Sequence, residues 1–298
     1  MTPASPDAIP EERRPFLLGL AYRILGSYSD AEDAVQDTYL KWNSLDSKDI
    51  DNPAAWLTTV CTRHCIDLLR AAKRSRTDYV GSWLPEPIQM AGPDTPESEA
   101  ELASSLSMAF LLTLERLAPK ERAAYLLHEI FDRPYTEVAP TLGVSEAACR
   151  KLVSRAKSKV GRDVVRRPAP QLRQEELLVA FREAVETGLT DRLATLMSED
   201  IRLSADGGGK VPTLQESLTG KEAVLMFISE QLHEYWRCYA GWLRTRINGA
   251  AGILLFDDGR VVVSVSFAYD LHGRLSRIFI TRNPDKLDHL PHPGLCVQ

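Results

Sequence analysis

Residues 135–160 read YTEVAPTLGVSEAACRKLVSRAKSKV. The stretch predicts a short helix, a tight turn at Gly143, an N-cap at Ser145 and a second, basic helix from Glu146, the signature of a helix-turn-helix. In the second helix Ala148, Leu152, Ala156 and Val160 recur every four residues and predict the stripe that packs on the first helix. Arg150, Lys151, Arg155, Lys157 and Lys159 lie around the rest. A helix with one apolar and one cationic face suits the major groove of DNA. Basic amphipathic helices also occur as plain solvated surfaces; Gly143 and Ser145, at the right offset from each other, favour the groove. Pro140 breaks a local rule: with Thr136 as cap it is about the fourth helical residue, and a distorted first turn is expected.

Helical patterning continues upstream. Phe16, Leu17, Leu20, Ala21, Ile24 and Leu25 recur at helix spacing and Gly26 closes that segment. Ser29 is the expected cap of the next helix, with Glu32 completing a capping box. That helix carries Ala31, Ala34, Val35, Thr38, Tyr39 and Trp42 on one side, and Glu32, Asp33, Gln36, Asp37 and Lys41 on the other. Pro53 opens a third helix to about Arg74, with Trp56, Leu57, Val60, Ile66, Leu68 and Leu69 as apolar positions. Met108–Leu117 and a segment begun by Pro119 precede the helix-turn-helix. Between the helical blocks, residues 77–101 hold Pro85, Pro87, Pro93 and Pro96 and predict a long linker. Tyr79, Val80, Trp83, Leu84 and Ile88 give that linker apolar groups with which to dock.

After a short second linker at 166–171 the texture turns α+β. Helices are expected over Glu175–Glu186, Asp191–Met197 and Lys221–Tyr235, and strands over Ile201–Ala205, Tyr239–Ile247, Gly252–Phe256, Val261–Tyr269 and Leu275–Thr281. Asn248-Gly249, Asp257-Asp258-Gly259 and His272-Gly273 are hairpin-type turns, which predicts an antiparallel meander.

The chain has 298 residues, 44% of them apolar and 26% charged, as in a water-soluble globular protein. No apolar run reaches the roughly 18 residues of a membrane helix. The acidic, proline-bearing N-terminus is not a secretory signal, so the expected location is the cytoplasm. Five cysteines, Cys61, Cys65, Cys149, Cys238 and Cys296, are odd in number and scattered, which argues against a disulfide framework. The net charge of −5 counts against a non-specific nucleic-acid coat. The cations are clustered, however: one group holds Arg63, Arg70, Lys73, Arg74 and Arg76, and another runs from Arg150 to Arg167. Cys61, His64 and Cys65 share a helical face with zinc-like chemistry but lack a visible fourth ligand; neither a metal nor a cofactor is expected.

SDAEDAVQDTYLKW (29–42) followed by NPAAWLTTVCTRHCIDLLRAAKR (52–74) resembles the second conserved region of extracytoplasmic-function sigma factors. The helix-turn-helix, preceded by LERLAPKERAAYLLHEIFDRPYTEVA, resembles their fourth region. YVGSWLPEP (79–87), DGGGK (206–210) and NPDKL (283–287) resemble the narrower SigJ type, which carries a SnoaL-like extension of the nuclear-transport-factor-2 fold. The resemblance implies a multidomain protein: two all-α sigma domains, at 1–76 and 102–165, then an α+β cone over 172–298. It implies a non-enzymatic transcription initiation factor with RNA polymerase core (β′ and β subunits) and promoter DNA as partners, no membrane partner, and an intramolecular contact between the extension and the sigma domains.

Residue by residue, it implies a polymerase-binding face at Glu32, Asp33, Gln36, Asp37 and Leu40. Trp56, Arg63, His64, Asp67, Arg70, Lys73 and Arg74 would meet the −10 element, with Trp56 weighed more as core than as a base platform. Ser145, Glu146, Ala147, Arg150, Lys151, Ser154, Arg155 and Lys157 would meet the −35 element. Asp206, Gly207, Gly208, Gly209, Lys210, Asn283, Pro284, Asp285 and Lys286 would form a regulatory interface. By composition alone the glycine run is a hairpin turn; the resemblance puts it at that interface. Asp206 and Lys210 are then the polar handles, and Asp206→Ala or a substitution in the glycine run is expected to alter transcription without unfolding the chain.

Two rival functions remain. A one-component helix-turn-helix regulator with a ligand-binding domain would bind DNA without polymerase, and the acidic block 30–37 argues against it. A cyclase-like enzyme would use Asp206, His233 or His272 as base in a cavity lined by Tyr239, Trp242, Phe256, Phe267, Tyr269 and Phe279, but no convergent acid–base pair is identifiable.

Overall fold

The computed structural model describes residues 8–45, 50–75, 79–89, 105–161, 169–239 and 241–290. The side chains of Lys73 and Arg74, together with Arg76, Arg162, Arg166, Arg167, Cys296 and much of both expected linkers, lie outside the described residues. The chain divides into two compact units, 1–77 with 113–161, and 78–112 with 162–298. The described residues 79–89 and 105–112 therefore belong to the C-terminal body. Residues 79–89 of the expected linker thus pack as part of that body.

The first unit contains helices α1 (Ala8–Leu25), α2 (Tyr28–Asn43) and α3 (Pro53–Ser75). After α4 (Met108–Leu114), which spans the division between units, it resumes with α5 (Pro119–Tyr125), α6 (Tyr135–Leu142) and α7 (Glu146–Val160). The cap of α2 is Ser27, not Ser29: it sits extended after Gly26 at φ 72°, and its side chain accepts from the Asp30 amide at 3.1 Å. The left-handed glycine turns the chain at once, so the helix starts earlier than a capping-box pattern suggests.

In the helix-turn-helix, Ser145 caps α7 as expected, accepting from the Ala148 amide at 3.3 Å. Gly143, at φ 61°, ends α6, with Val144 N donating to Ala139 O at 3.0 Å and Gly143 N to Pro140 O at 3.1 Å. Those paired bonds make a Schellman stop, which an L side chain resists. The packing stripe of α7 is Cys149, Val153, Ala156 and Val160, one residue round from the expected Ala148–Leu152 line. A strict spacing of four drifts around a helix of 3.6 residues per turn, whereas steps of four, three and four hold one face. Helix α6 begins at Tyr135 with Pro134 as cap, so Pro140 is well inside it and its first turn is regular.

The C-terminal body holds α8 (Gln171–Thr187), α9 (Asp191–Leu196), β1 (Met197–Asp206), β2 (Leu218–Thr219) and α10 (Lys221–Met226). Helix α10 continues through a wide-turned stretch, Phe227–Leu232, to Trp236. Strands β3 (Gly241–Ile247), β4 (Ala250–Asp257), β5 (Arg260–Tyr269) and β6 (Leu275–Thr281) follow, in sheet order β2-β1-β6-β5-β4-β3. The meander β3–β6 is antiparallel as expected; in addition β1 lies parallel to β6, with Asp206 opposite Thr281. Asn248 and Gly249 (φ 51° and 77°), and Asp258 and Gly259 (φ 45° and 73°), make the two-residue hairpin turns.

Both faces of the sheet are covered. One face presents Leu203, Ile253, Leu255, Val263, Val265, Ile278 and Ile280 to Leu177, Phe181 and Ala184 of α8 and to Val224, Ile228 and Trp236. The other presents Leu254, Phe256 and Val261 to Leu287 and Leu290, and Phe279 to Leu84 and Met108. That is why β4 reads as an unbroken apolar run. Asn248 clamps the covering segment: its amide N donates to Ile88 O at 2.8 Å, its Oδ1 accepts from Ile88 N at 3.2 Å, and its Nδ2 donates to Leu106 O at 2.9 Å.

Candidate polymerase, promoter and regulatory sites

Helix α2 turns Ala31, Ala34, Val35, Thr38 and Trp42 inward. The remaining positions put Glu32, Asp33, Gln36 and Asp37 on the surface beside Leu40, which is 59% exposed. An acidic face around an exposed leucine suits a basic helical partner. Its margin touches α3, where His64 Nε2 lies 3.2 Å from Asp37.

On α3, Arg63 does not project freely. Its Nε donates to Thr141 O at 2.9 Å and its Nη2 to Pro140 O at 2.7 Å, both at the end of α6. Thr59 Oγ1 lies 3.3 Å from Thr141 Oγ1. Those carbonyls fall in the last turn of α6, where the helix dipole favours a cation, and the Pro140 carbonyl accepts from Arg63 as well as from Gly143 N. Trp56 is half-buried and packs on the core Trp42 with ring centroids 5.5 Å apart. Asp67 and Arg70 are exposed and paired at 2.9 Å. Arg122 of α5 is fully buried and donates to Ile24 O and to Glu115 Oε1, both at 2.7 Å; sequence reading missed it because nothing local marks a buried arginine.

Helix α7 exposes Ala147, Lys151, Ser154 and Arg155. Arg150 pairs with Glu146 at 2.9 Å and lies over the Tyr135 ring, and Lys157 pairs with Glu129 at 2.8 Å. The hydrogen bond to Glu129 holds the Lys157 ammonium above its ordinary range. Glu121 bonds Lys159 at 2.6 Å; burial would raise its carboxyl, but that bond and the Ala118 amide outweigh it and hold it low.

The second body brings YVGSWLPEP, DGGGK and NPDKL to one point. Parallel pairing of β1 with β6 ends both strands together, so the amides of Arg282 and Asn283 reach Asp206 O at 2.7 and 3.0 Å. The Asp206 side chain is wholly buried. Its Oδ1 accepts from Tyr79 Oη at 2.7 Å and Gly208 N at 3.0 Å. Its Oδ2 accepts from Leu84 N at 2.9 Å and Lys286 Nζ at 2.7 Å. Asn283 Nδ2 donates to Tyr79 Oη at 3.0 Å, and Lys286 also donates to Leu84 O while its ammonium lies 4.4 Å from the Trp83 ring centre. A Cβ on Gly207 would meet the Val211 carbonyl and one on Gly208 the Asn283 amide, so the run is both a turn and a close approach.

Lys210 and Asp285 are exposed and paired at 2.6 Å beside exposed Pro284. Lys210 thus remains a surface handle. Asp206 does not: it holds the packing together, which corrects the expectation that its substitution spares folding. The linker residues Tyr79 and Leu84 stood out in the sequence as apolar docking groups, but nothing local paired them with Asp206.

The cyclase-like constellation does not assemble. Asp206 is consumed by these bonds, His233 Nδ1 lies 2.8 Å from Val185 O, and His272 is exposed in a turn. Of the six aromatics expected around a cavity, Tyr239 lines one; Phe256 and Phe279 face the other side of the sheet and Phe267 packs on Phe181. Among the described residues no His, Cys, Asp or Glu cluster is arranged to hold a metal, and no helix is long and apolar enough to cross a membrane.

Burial, and then the bond to Asp206, push the Tyr79 hydroxyl well above the ordinary tyrosine range. The folded state therefore prefers the neutral phenol, and that stability is present in full below about pH 10 and is lost as pH rises towards the folded value. The gap in denaturation stability between wild type and Tyr79→Phe is expected to shrink above that pH; a gap independent of pH would refute the assignment.

The Sigma-70 region 2 model matches residues 11–75 and the Sigma-70, region 4 model residues 107–160. The ECF RNA polymerase sigma factor SigJ of Mycobacterium tuberculosis is 35% identical over 295 residues, covering 94% of this chain and 93% of the relative. The chain belongs to the extracytoplasmic-function sigma factor family. The probable ECF sigma factor SigI of the same organism is 26% identical, covering 93% of each chain. The crystal structure of M. tuberculosis SigJ matches this sigma factor with TM-score 0.72 at 31% identity, over 96% of this chain and 99% of that one. The sigma factor directs promoter-specific initiation by RNA polymerase, and its α+β body is the SnoaL-like extension of the SigJ architecture.

Proposed function

We propose that the C-terminal body controls this sigma factor in cis by holding the tether between its two promoter readers. The observation that carries the proposal is the Asp206 node, which fastens Tyr79, Leu84 and, through Lys286, the Leu84 carbonyl to the sheet. Region 2, about 1–76, uses Glu32, Asp33, Gln36, Asp37 and Leu40 on the β′ clamp helices, and Arg63, His64, Asp67 and Arg70 at the −10 element. Region 4, about 102–165, lays Arg150, Lys151, Ser154, Arg155 and Lys157 against the −35 element near the β subunit. Residues 172–298 form the regulatory extension. The work is done in the cytoplasm, where core polymerase resides.

Elements named −10 and −35 lie about 25 base pairs apart, or roughly 85 Å at ~3.4 Å per pair. The contact of Arg63 with Pro140 and Thr141 cannot persist across that distance, so the first unit is in a closed form that must open on a promoter. The segment from 76 to 112 reaches about 120 Å when fully extended. Every residue of it docked on the sheet is withheld from that reach, so docking favours the closed form.

The test is run-off transcription with purified core polymerase, comparing the full chain with one ending near Arg167. Initiation by both, several-fold stronger for the shorter chain, is the expected result. Equal initiation sinks cis restraint. Failure of both, with DNA binding retained by the full chain alone, favours the one-component regulator.

A further inference from the structure

The C-terminal body contains a cavity of about 160 Å³ between the sheet and the long helix that starts at Lys221. Its wall is mostly apolar, with Leu214, Phe227, Trp236, Leu255, Val263 and Ile280 among its members. A dry cavity of about 150 Å³ accommodates one benzene ring, so this one has the volume of a single ring and a small substituent. Among the residues lining it Arg282 is the one charged group, and no carboxylate faces it. The Arg282 Nη1 donates to Pro212 O, and its Nε is buried without a hydrogen-bond partner among the described residues. A buried donor left unmatched beside an apolar void is costly, and an anionic oxygen in the void would satisfy it.

We propose that this cavity binds a small apolar monocarboxylate of about one aromatic ring, with the Arg282 guanidinium as the carboxylate partner. The apolar wall takes the ring; neutral ligands of the same shape lack the group that answers the arginine. The site is also mechanically close to the Asp206 node. Ala205 in its wall precedes Asp206, the Arg282 amide bonds Asp206 O, and Pro212 follows the glycine loop. An occupant that draws Arg282 from Pro212 therefore acts on the loop that holds the linker. The binding claim stands independently of cis control.

The experiment is calorimetric and ligand-observed NMR titration of the full-length protein with benzoate, and with benzyl alcohol as the neutral counterpart. Benzoate is expected to bind saturably with the weak affinity usual for so few atoms, and at least tenfold more tightly than benzyl alcohol. Arg282→Gln is expected to remove that preference while leaving weak benzyl alcohol binding. Arg282→Lys should restore part of it. Val263→Phe, which fills the cavity and leaves Arg282 in place, should abolish both, with melting curves confirming that each variant is folded. No saturable benzoate binding, equal affinity for benzoate and benzyl alcohol, or binding untouched by both Arg282→Gln and Val263→Phe would each overturn the proposal. These readouts involve no polymerase, so their failure is separate from any failure of transcriptional control.

Discussion

Asp206→Ala is expected to destabilise the C-terminal body by about 3–5 kcal/mol, the usual cost of removing one partner from a buried ion pair. The reason is what it leaves behind. Lys286, 8% exposed, keeps its ammonium inside the fold, and the Tyr79 hydroxyl and the amides of Leu84 and Gly208 lose their acceptor. Melting should fall by on the order of 10 °C. Asp206→Asn should do nearly as much damage, since an amide keeps the shape but not the charge opposite Lys286. A double-mutant cycle with Lys286→Met separates pairing from packing: removing both charges should cost less than the sum of the single changes. The tether should loosen before the body melts, seen as faster hydrogen exchange at the Leu84 amide. A wild-type melting temperature in Asp206→Ala would mean that the node does not hold the body together.

The second large effect is expected from locking the first unit shut. Thr59 and Thr141 approach through their hydroxyls at 3.3 Å, which makes them the pair to replace with cysteine for a crosslink between α3 and α6. Oxidised Thr59→Cys/Thr141→Cys protein should lose more than tenfold in promoter-dependent transcription, because α3 and α6 then cannot part by the ~85 Å that two elements about 25 base pairs apart demand. A reductant should restore it, and each single variant should behave as wild type. The native Cys61, Cys65 and Cys149 are buried and compete little for the new bond, and the exposed Cys238 is replaced by serine in the background used. A crosslinked protein that initiates at the wild-type rate would remove the closed form from the mechanism. Binding to core polymerase, by contrast, should survive the lock, since Glu32, Asp33, Gln36 and Leu40 lie on the surface of α2 whether or not α3 holds α6.

The local devices of the fold were legible wherever one residue type has one physical use. Gly143 stops α6, Ser145 caps α7, Pro119 opens α5, and Asn248-Gly249 turns β3 into β4. Periodicity was legible to within one residue. The α7 stripe was misread because steps of four and the true alternation of four and three differ by little over a single turn, and only packing against α6 chooses between them. The start of α2 was misread for a similar reason: a capping box and the Ser27 cap compete, and the left-handed Gly26 just before Ser27 decides.

The candidate surfaces divide in the same way. The acidic face of α2 and the cationic face of α7 follow from sequence alone, since a helix of 3.6 residues per turn sorts its own side chains into faces. What those faces touch does not follow. Arg63 was legible as a cation on α3 but not as a cap on α6, because the two positions meet only when α3 packs on α6. DGGGK, NPDKL and YVGSWLPEP were visible as three separate words. Their meeting at Asp206 depends on β1 lying parallel to β6, a pairing between distant segments that no local propensity encodes. Nor does the sequence distinguish a linker from a sheet cover. Tyr79–Ile88 has the prolines of a connector, and it becomes part of the C-terminal body because Leu254, Phe256 and Phe279 leave the outer face of the sheet apolar. That face needs burial, and Asp206 and Asn248 satisfy the polar groups that burial would otherwise strand.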